Sequence, residues 1–275
     1  MVVAILAFLG LCLGSFVNAL VWRLHENSKK QNVKSKKLSI VSGRSVCPNC
    51  GHELSAWDLV PVLSWLYLKG RCRYCRKPIS WQYPLVELAM ALVFVFSYLF
   101  WPGDLHLVGQ KLLLATWLTG SVGLLALLVY DWRWMLLPNR IIYPTLAVAL
   151  AGRLAYIVFY AGNKAHSFWL LAFSLLIASG MFFILYLLSQ GRWIGFGDVR
   201  LGLVTGTLIA DPAQSFLMIF LAALMGTIVA LPGLVSGKLQ ISHRLPFGPF
   251  LITATGIVVL FGTPIIDWYK RLFTP

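Results

Sequence analysis

LVGQKLLLATWLTGSVGLLALLVY occupies residues 107–130, and DWRWMLLPNR follows at 131–140. The first string carries one charge, Lys111, in a run long enough to cross the roughly 30 Å hydrocarbon core of a bilayer, for which about 20 apolar residues suffice. It then meets an acid, Asp131, and a basic, proline-containing turn. Comparable runs extend approximately from Val2 to Trp22, Tyr83 to Trp101, Leu107 to Tyr130, Ile141 to Tyr160, Phe168 to Leu188, Val199 to Ala210, Phe216 to Val235 and Phe247 to Trp268. The pattern predicts an all-α polytopic membrane protein with about eight transmembrane helices. The Val199 to Ala210 run is short, and Gly202 and Gly206 interrupt it. Of 275 residues, 59% are hydrophobic and 12% charged, with a mean hydropathy of +0.79, about half the charged share of a soluble domain. An ordinary water-soluble enzyme is excluded.

The formal net charge of +14 invites a nucleic-acid reading, but 12 of the 23 Lys and Arg residues lie between Arg23 and Lys77. Basic residues gather in cytoplasmic loops of membrane proteins, which accounts for that clustering without nucleic acid. The first apolar run is followed by its basic residues instead of preceded by them, the reverse of a cleaved signal peptide. It reads as an uncleaved anchor with the N-terminus outside. Alternation from there places Arg23 to Ser80, Asp131 to Arg140, Gln190 to Arg200 and Ser236 to Leu245 inside, with 18 of the 23 basic residues. Three parts are expected: a first transmembrane helix at 1–22, a cytoplasmic loop at 23–80, and a membrane core at 81–275. The stretch ENSKKQNVKSKKLS within the loop is polar, basic and expected to be flexible. No internal repeat is evident.

Four of the five cysteines form two pairs, Cys47-Pro-Asn-Cys50 and Cys72-Arg-Tyr-Cys75, separated by 21 residues. Two such turns present four thiolates in the pattern of a tetrahedral, structural zinc site, and the loop is too small to build much core of its own. Two disulfides are the competing reading, disfavoured in a reducing cytoplasm. His52 reads as a solvated turn residue, and Cys12 as an apolar filler in the first span.

Acids number only nine. Glu26, Glu53, Asp58, Asp104, Asp211 and Asp267 fall where water reaches them, whereas Glu87, Asp131 and Asp198 adjoin apolar runs, where a carboxylate is costly. Asp131 ends the third run, and Asp198 closes Gly195-Phe196-Gly197-Asp198 at the start of the sixth, 67 residues later but at the same expected depth. Two readings stand. Either the acids pair across a helix bundle and activate a water for amide hydrolysis, or they form interfacial ion pairs, Asp131 with Arg133 or Arg140 and Asp198 with Arg200 or Arg192. Gly195 and Gly197 let backbone approach Asp198 closely.

FLGLCLGSFVNALVWRL, CPNCGHELSAWDLVPVLSWLYLKGRCRYCRKPISWQYPLVEL, YDWRWMLLPNRIIYP, GFGDVRLG and PFGPFL, in this order, resemble the type IV prepilin leader peptidases over nearly the whole chain. That resemblance implies a G-x-G-D membrane aspartic peptidase of the bacterial inner membrane. Such enzymes cut prepilins and pseudopilins on the cytoplasmic side and often N-methylate the new terminus with S-adenosylmethionine. Asp131 and Asp198 would be the catalytic pair, Gly195 and Gly197 their supporting motif, and Cys47, Cys50, Cys72 and Cys75 the zinc ligands. Glu87, in PLVEL, matches a family position and would serve substrate binding or helix packing. His25-Glu26 stands where the family often has proline, and Asn139 where many members have aspartate. A leader peptidase without methyltransferase activity and, in another class, a proton-coupled transporter are the alternatives. The sequence leaves the cofactor site and the oligomeric state unassigned.

Overall fold

The computed structural model describes residues 1–29, 43–235 and 246–273. Most of the basic stretch expected to be flexible, and all of the loop at 236–245, lie outside these residues. Among the described residues the chain is helical, with isolated two-residue bridges and no strand.

Seven of the described helices are long and apolar enough to span a bilayer. They are α1 (Val2–Lys29), α3 (Gln82–Leu99), α4 (Val108–Trp134), α5 (Asn139–Phe159), the joined pair α6 (Lys164–Leu175) and α7 (Met181–Ser189), α9 (Pro212–Val235) and α10 (Gly248–Phe273). A five-residue π-helical turn, Leu176–Gly180, joins α6 to α7. The sequence predicted about eight spans. The difference is α8 (Phe196–Ile209), whose 14 residues make a rod of about 21 Å, short of the hydrocarbon thickness.

Packing explains why so short a helix is stable there. Nine of its residues are buried, and it touches α4, α5, α6, α7, α9 and α10. The glycines that weaken the run as a lipid-facing span are its contact surface. A methyl group on Gly202 would overlap the Ala178 carbonyl oxygen and lie 2.9 Å from Ser179 Cα, and one on Gly206 would lie 2.9 Å from Ala178 Cβ. Small residues let helices approach this closely, and serine hydroxyls then bridge them. Ser179 donates to the Val199 carbonyl at 2.8 Å, and Ser174 to that of Gly206 at 2.7 Å. The π-helical turn thus lies against α8.

The chain divides into two compact units, Met1–Tyr98 and Leu99–Pro275. In the first, α1 and α3 meet backbone to backbone. Methyl groups on Gly10 and Gly14 would lie 2.6 Å from the Cα atoms of Ala91 and Glu87. Between these helices come a 3-10 turn, Ala56–Leu59, the short helix α2 (Leu63–Tyr67) and the cysteine pairs. In the second unit, α10 packs on α9, α4 and α8, and α5 packs on α4 and α8.

Candidate active site and metal centre

Asp131 stands in the last full turn of α4, which ends where Met135 enters the left-handed region and donates its N–H to the Asp131 carbonyl at 2.8 Å. Asp198 stands in the first turn of α8, where Gly195 caps the helix and its N–H reaches the Asp198 carboxylate. Asp131 is buried and Asp198 half-buried. The carboxylates lie close enough for their charges to repel.

No cation compensates them among the described residues. The ion pairs offered as the alternative do not form: Arg200 donates to the Asn139 side-chain oxygen and lies over the Phe196 ring, Arg192 donates to the Ser189 carbonyl, and Arg133 lies over Trp134. Both acids sit at helix ends, whereas a proton relay through the membrane calls for acids at mid-depth.

The third wall is α10. Its first residue, Gly248, presents its backbone N–H to the Asp131 carboxylate, and a methyl group there would sit 2.5 Å from Oδ2. The Phe247-Gly248-Pro249 string carries the family resemblance in the sequence but no role of its own. Its signal in the sequence is a glycine opening an apolar run, which gives no hint of which side chain it faces. Gly197 packs against Leu137, where a methyl would lie 3.2 Å from Cβ. Gly195 is exposed.

Glu87 belongs to the first unit. Its carboxylate accepts from the backbone N–H of Val62 at 2.7 Å and from the Ser15 hydroxyl. Val62 has φ 60 and ψ −50, and Leu63 N–H reaches back to the Pro61 carbonyl at 2.6 Å, a tight γ-turn. A β-branched residue rarely takes positive φ, so the buried carboxylate holds a strained turn in place. Nearby, Asn18 donates to the Tyr83 carbonyl at 3.1 Å and accepts from Gln82 at 3.2 Å.

The four thiols of Cys47, Cys50, Cys72 and Cys75 converge, all within 4.8 Å of one another, and Cys47 and Cys75 are 4.0 Å apart. Zinc–sulfur bonds of about 2.3 Å in a tetrahedron put sulfurs about 3.8 Å apart, so the cluster fits zinc with little contraction. None of the cysteines is in a disulfide. Burial raises the Cys47 thiol, but N–H groups of Cys50 and Asn49 and the thiols of Cys50 and Cys72 outweigh it and bring it down to about 7. On Cys75 the Lys77 N–H acts to lower the value, but burial and the other three thiols carry it up to about 11. Four crowded thiols give up one proton readily and the next reluctantly, and a dication removes that conflict. His52 is not among the grouped donors; its ring rests on Tyr74, centroids 3.6 Å apart.

The loop also holds a repeat that the sequence hides. Cys47 N–H bonds the His52 carbonyl and Gly51 N–H the Cys47 carbonyl, each at 2.9 Å; Cys72 N–H bonds Lys77 at 2.9 Å and Arg76 N–H bonds Cys72 at 3.0 Å. The outer bonds, Leu54 to Ser45 and Ile79 to Gly70, match as well. Backbone geometry carries the repeat, and apart from the cysteines few side chains need to agree. Asp58 links the first half to the second, accepting from Arg73 Nε at 2.7 Å and from the Ser55 hydroxyl at 2.9 Å.

The fold and site define a class: a helical membrane protein with two carboxylates at helix ends that no described cation compensates, and a four-thiol turn pair. Residues 118–231 match the model of the type IV leader peptidase family, and residues 8–101 that of the bacterial peptidase A24 N-terminal domain. A Burkholderia pseudomallei (strain K96243) protein named prepilin leader peptidase/N-methyltransferase is 33% identical, over 93% of this chain and 84% of its own length. Proteins of the same name from Aeromonas hydrophila and Bacillus subtilis (strain 168) are 32% and 30% identical, covering 96% and 98% of this chain and 92% and 98% of theirs. No solved structure matches. The chain belongs to the type IV leader peptidase family, and it is a multi-pass membrane protein.

Proposed function

We propose that this protein is a membrane aspartic endopeptidase that removes the leader of type IV prepilins and pseudopilins, and then N-methylates the exposed residue. The observation that carries the reading is the electrostatic contact between Asp131 and Asp198 without a cation beside either among the described residues. Two carboxylates in one site work as a unit, with one proton between them. The unprotonated carboxylate takes a proton from water as its oxygen attacks the scissile carbonyl carbon. The protonated one donates a hydrogen bond to the carbonyl oxygen. Collapse of the tetrahedral intermediate breaks the carbon–nitrogen bond, and the proton passes to the leaving amine. Gly248 fixes the orientation of Asp131, and Gly195 that of Asp198.

The substrate enters with its basic leader in the cytoplasm and its apolar helix in the bilayer. The N-terminus of the enzyme is outside, its first helix an anchor, residues 23–80 a cytoplasmic zinc loop and residues 81–275 the peptidase core, in the bacterial inner membrane. Zinc held by Cys47, Cys50, Cys72 and Cys75 leaves no open coordination position, so its role is to fold the loop. The methyl donor is S-adenosylmethionine, and none of the residues named here is assigned to it. Incubating the purified protein with a prepilin peptide, with and without S-adenosylmethionine, and weighing the products tests both halves. A mass loss equal to the leader is expected in both samples, and a gain of one methyl only with the donor. An intact peptide refutes the reading.

A further inference from the structure

At the end of the second unit remote from the aspartates lies a cavity of about 160 Å³. Gln110, near the start of α4, lines it, and Asp131 follows 21 residues along the same helix, about 30 Å away. Arg153 of α5 also lines it, donating from Nε to the Thr207 carbonyl at 3.3 Å and from Nη2 to those of Leu208 at 2.5 Å and Ile209 at 3.3 Å. These are carbonyls of the last turn of α8. A helix that stops short of the membrane surface leaves such groups without partners in a medium that offers none, and the guanidinium supplies them.

The capping leaves two things over. The helix end returns only about half a negative charge for a full positive one, and no carboxylate lies within ion-pair distance of Arg153 among the described residues. Asp211, the acid next in sequence to that end, is taken up in capping α9, accepting from Gln214 N–H at 2.8 Å. The Nη1 edge of Arg153 also makes no hydrogen bond to a described residue, and it is not sealed in the interior. Gln110 has a similar surplus. Its carbonyl oxygen accepts from the Trp101 indole at 3.2 Å, while its amide nitrogen has no described partner. Donors and positive charge thus face a cavity whose other walls include Leu113, Trp117 and Val259.

We infer that this cavity binds a phosphate group through Arg153 and Gln110, carried by a phospholipid headgroup on the bilayer face opposite the aspartates. The Nη1 donors of Arg153 and the amide of Gln110 each offer N–H groups to a phosphate oxygen, and the apolar walls suit the glyceride end of a lipid better than a hydrated free ion. The site stands on the geometry of the second unit and not on the peptidase reading, so its test reads binding alone.

The test is thermal unfolding of delipidated protein in neutral detergent, titrated with dioctanoyl phosphatidylglycerol, dioctanoylglycerol or inorganic phosphate. Phosphatidylglycerol is expected to raise the unfolding temperature of the wild type, and dioctanoylglycerol to leave it unchanged. Arg153→Gln should abolish the shift. Gln110→Leu, which leaves the Arg153 bonds to α8 intact, should weaken apparent affinity about threefold or more, and it decides the matter if Arg153→Gln does not fold. An equal shift with inorganic phosphate would keep the phosphate site and replace the lipid by the free ion. A shift with dioctanoylglycerol as large as with phosphatidylglycerol, or an undiminished response in Gln110→Leu, overturns the proposal.

Discussion

Gly248 and Asp131 are in direct register: the first residue of α10 offers its N–H to the carboxylate, with no room for even a methyl group between them. Residues 117 apart in sequence therefore fix one catalytic candidate. Gly248→Ala should push the Asp131 side chain off its position. Cleavage of a prepilin peptide is expected to fall by about a hundredfold, as misplacement by about an ångström does elsewhere, with helical circular dichroism unchanged. Full activity in this variant would show that Asp131 does not need that backbone contact.

Asp131→Asn and Asp198→Asn should each reduce cleavage to background, and the double variant should be no worse than either. Groups that act as one unit lose their function together, whereas independent contributions multiply. Normal cleavage by both single variants would remove the pair from the mechanism.

Cys72→Ser or Cys75→Ser should release zinc, measured by metal analysis, and impair methylation more than leader removal. The thiols all belong to the first unit and the two aspartates to the second, which is the reason to expect separation. Equal loss of both activities would mean that the loop supports the whole enzyme.

Burial acts to raise the Asp58 carboxyl, but the hydrogen bonds from Arg73 and Ser55 outweigh it and hold it below its ordinary value. A carboxylate lowered in the folded state stabilises above its unfolded pKa, and that contribution is lost as pH falls through the folded value. Asp58→Asn should thus speed zinc loss to a chelator by up to about fivefold, with the same gap at about pH 8 and about pH 5. A gap that closes between those two would contradict the lowered carboxyl.

Glu87→Leu removes the acceptor for the Val62 N–H and leaves a strained turn unheld. A loss of about 2 kcal/mol in unfolding stability is expected, with Glu87→Gln costing less because an oxygen acceptor remains. Equal effects of the two variants would argue that the charge, and not the hydrogen bond, holds the turn.

Much of the architecture was readable from local properties. Apolar length marks α4 or α9 whatever they pack against, because the bilayer and not a neighbour is the solvent. Cys-x-x-Cys is likewise legible, since a single turn places both thiols. Val199 to Ala210 is the exception. Its composition suggests a weak eighth span, whereas it folds as a 14-residue helix set among six others, and Gly202 and Gly206 are its contact points. Nothing within twelve residues distinguishes a glycine that weakens a lipid-facing helix from one that lets two helices touch.

The sequence by itself determined which groups were present along the chain: an acid after the third apolar run, an acid after Gly195-Phe196-Gly197, four thiols in two turns, and an arginine within α5. The tertiary structure decided which of them meet. Asp131 takes the Gly248 N–H and lies near enough to Asp198 for their charges to repel, Glu87 holds the Val62 turn, and Arg153 caps α8. Helix formation and membrane insertion depend on neighbours three or four residues away. Contacts between helices depend on crossing and rotation, which are settled only when small residues and buried polar groups from distant segments find one another.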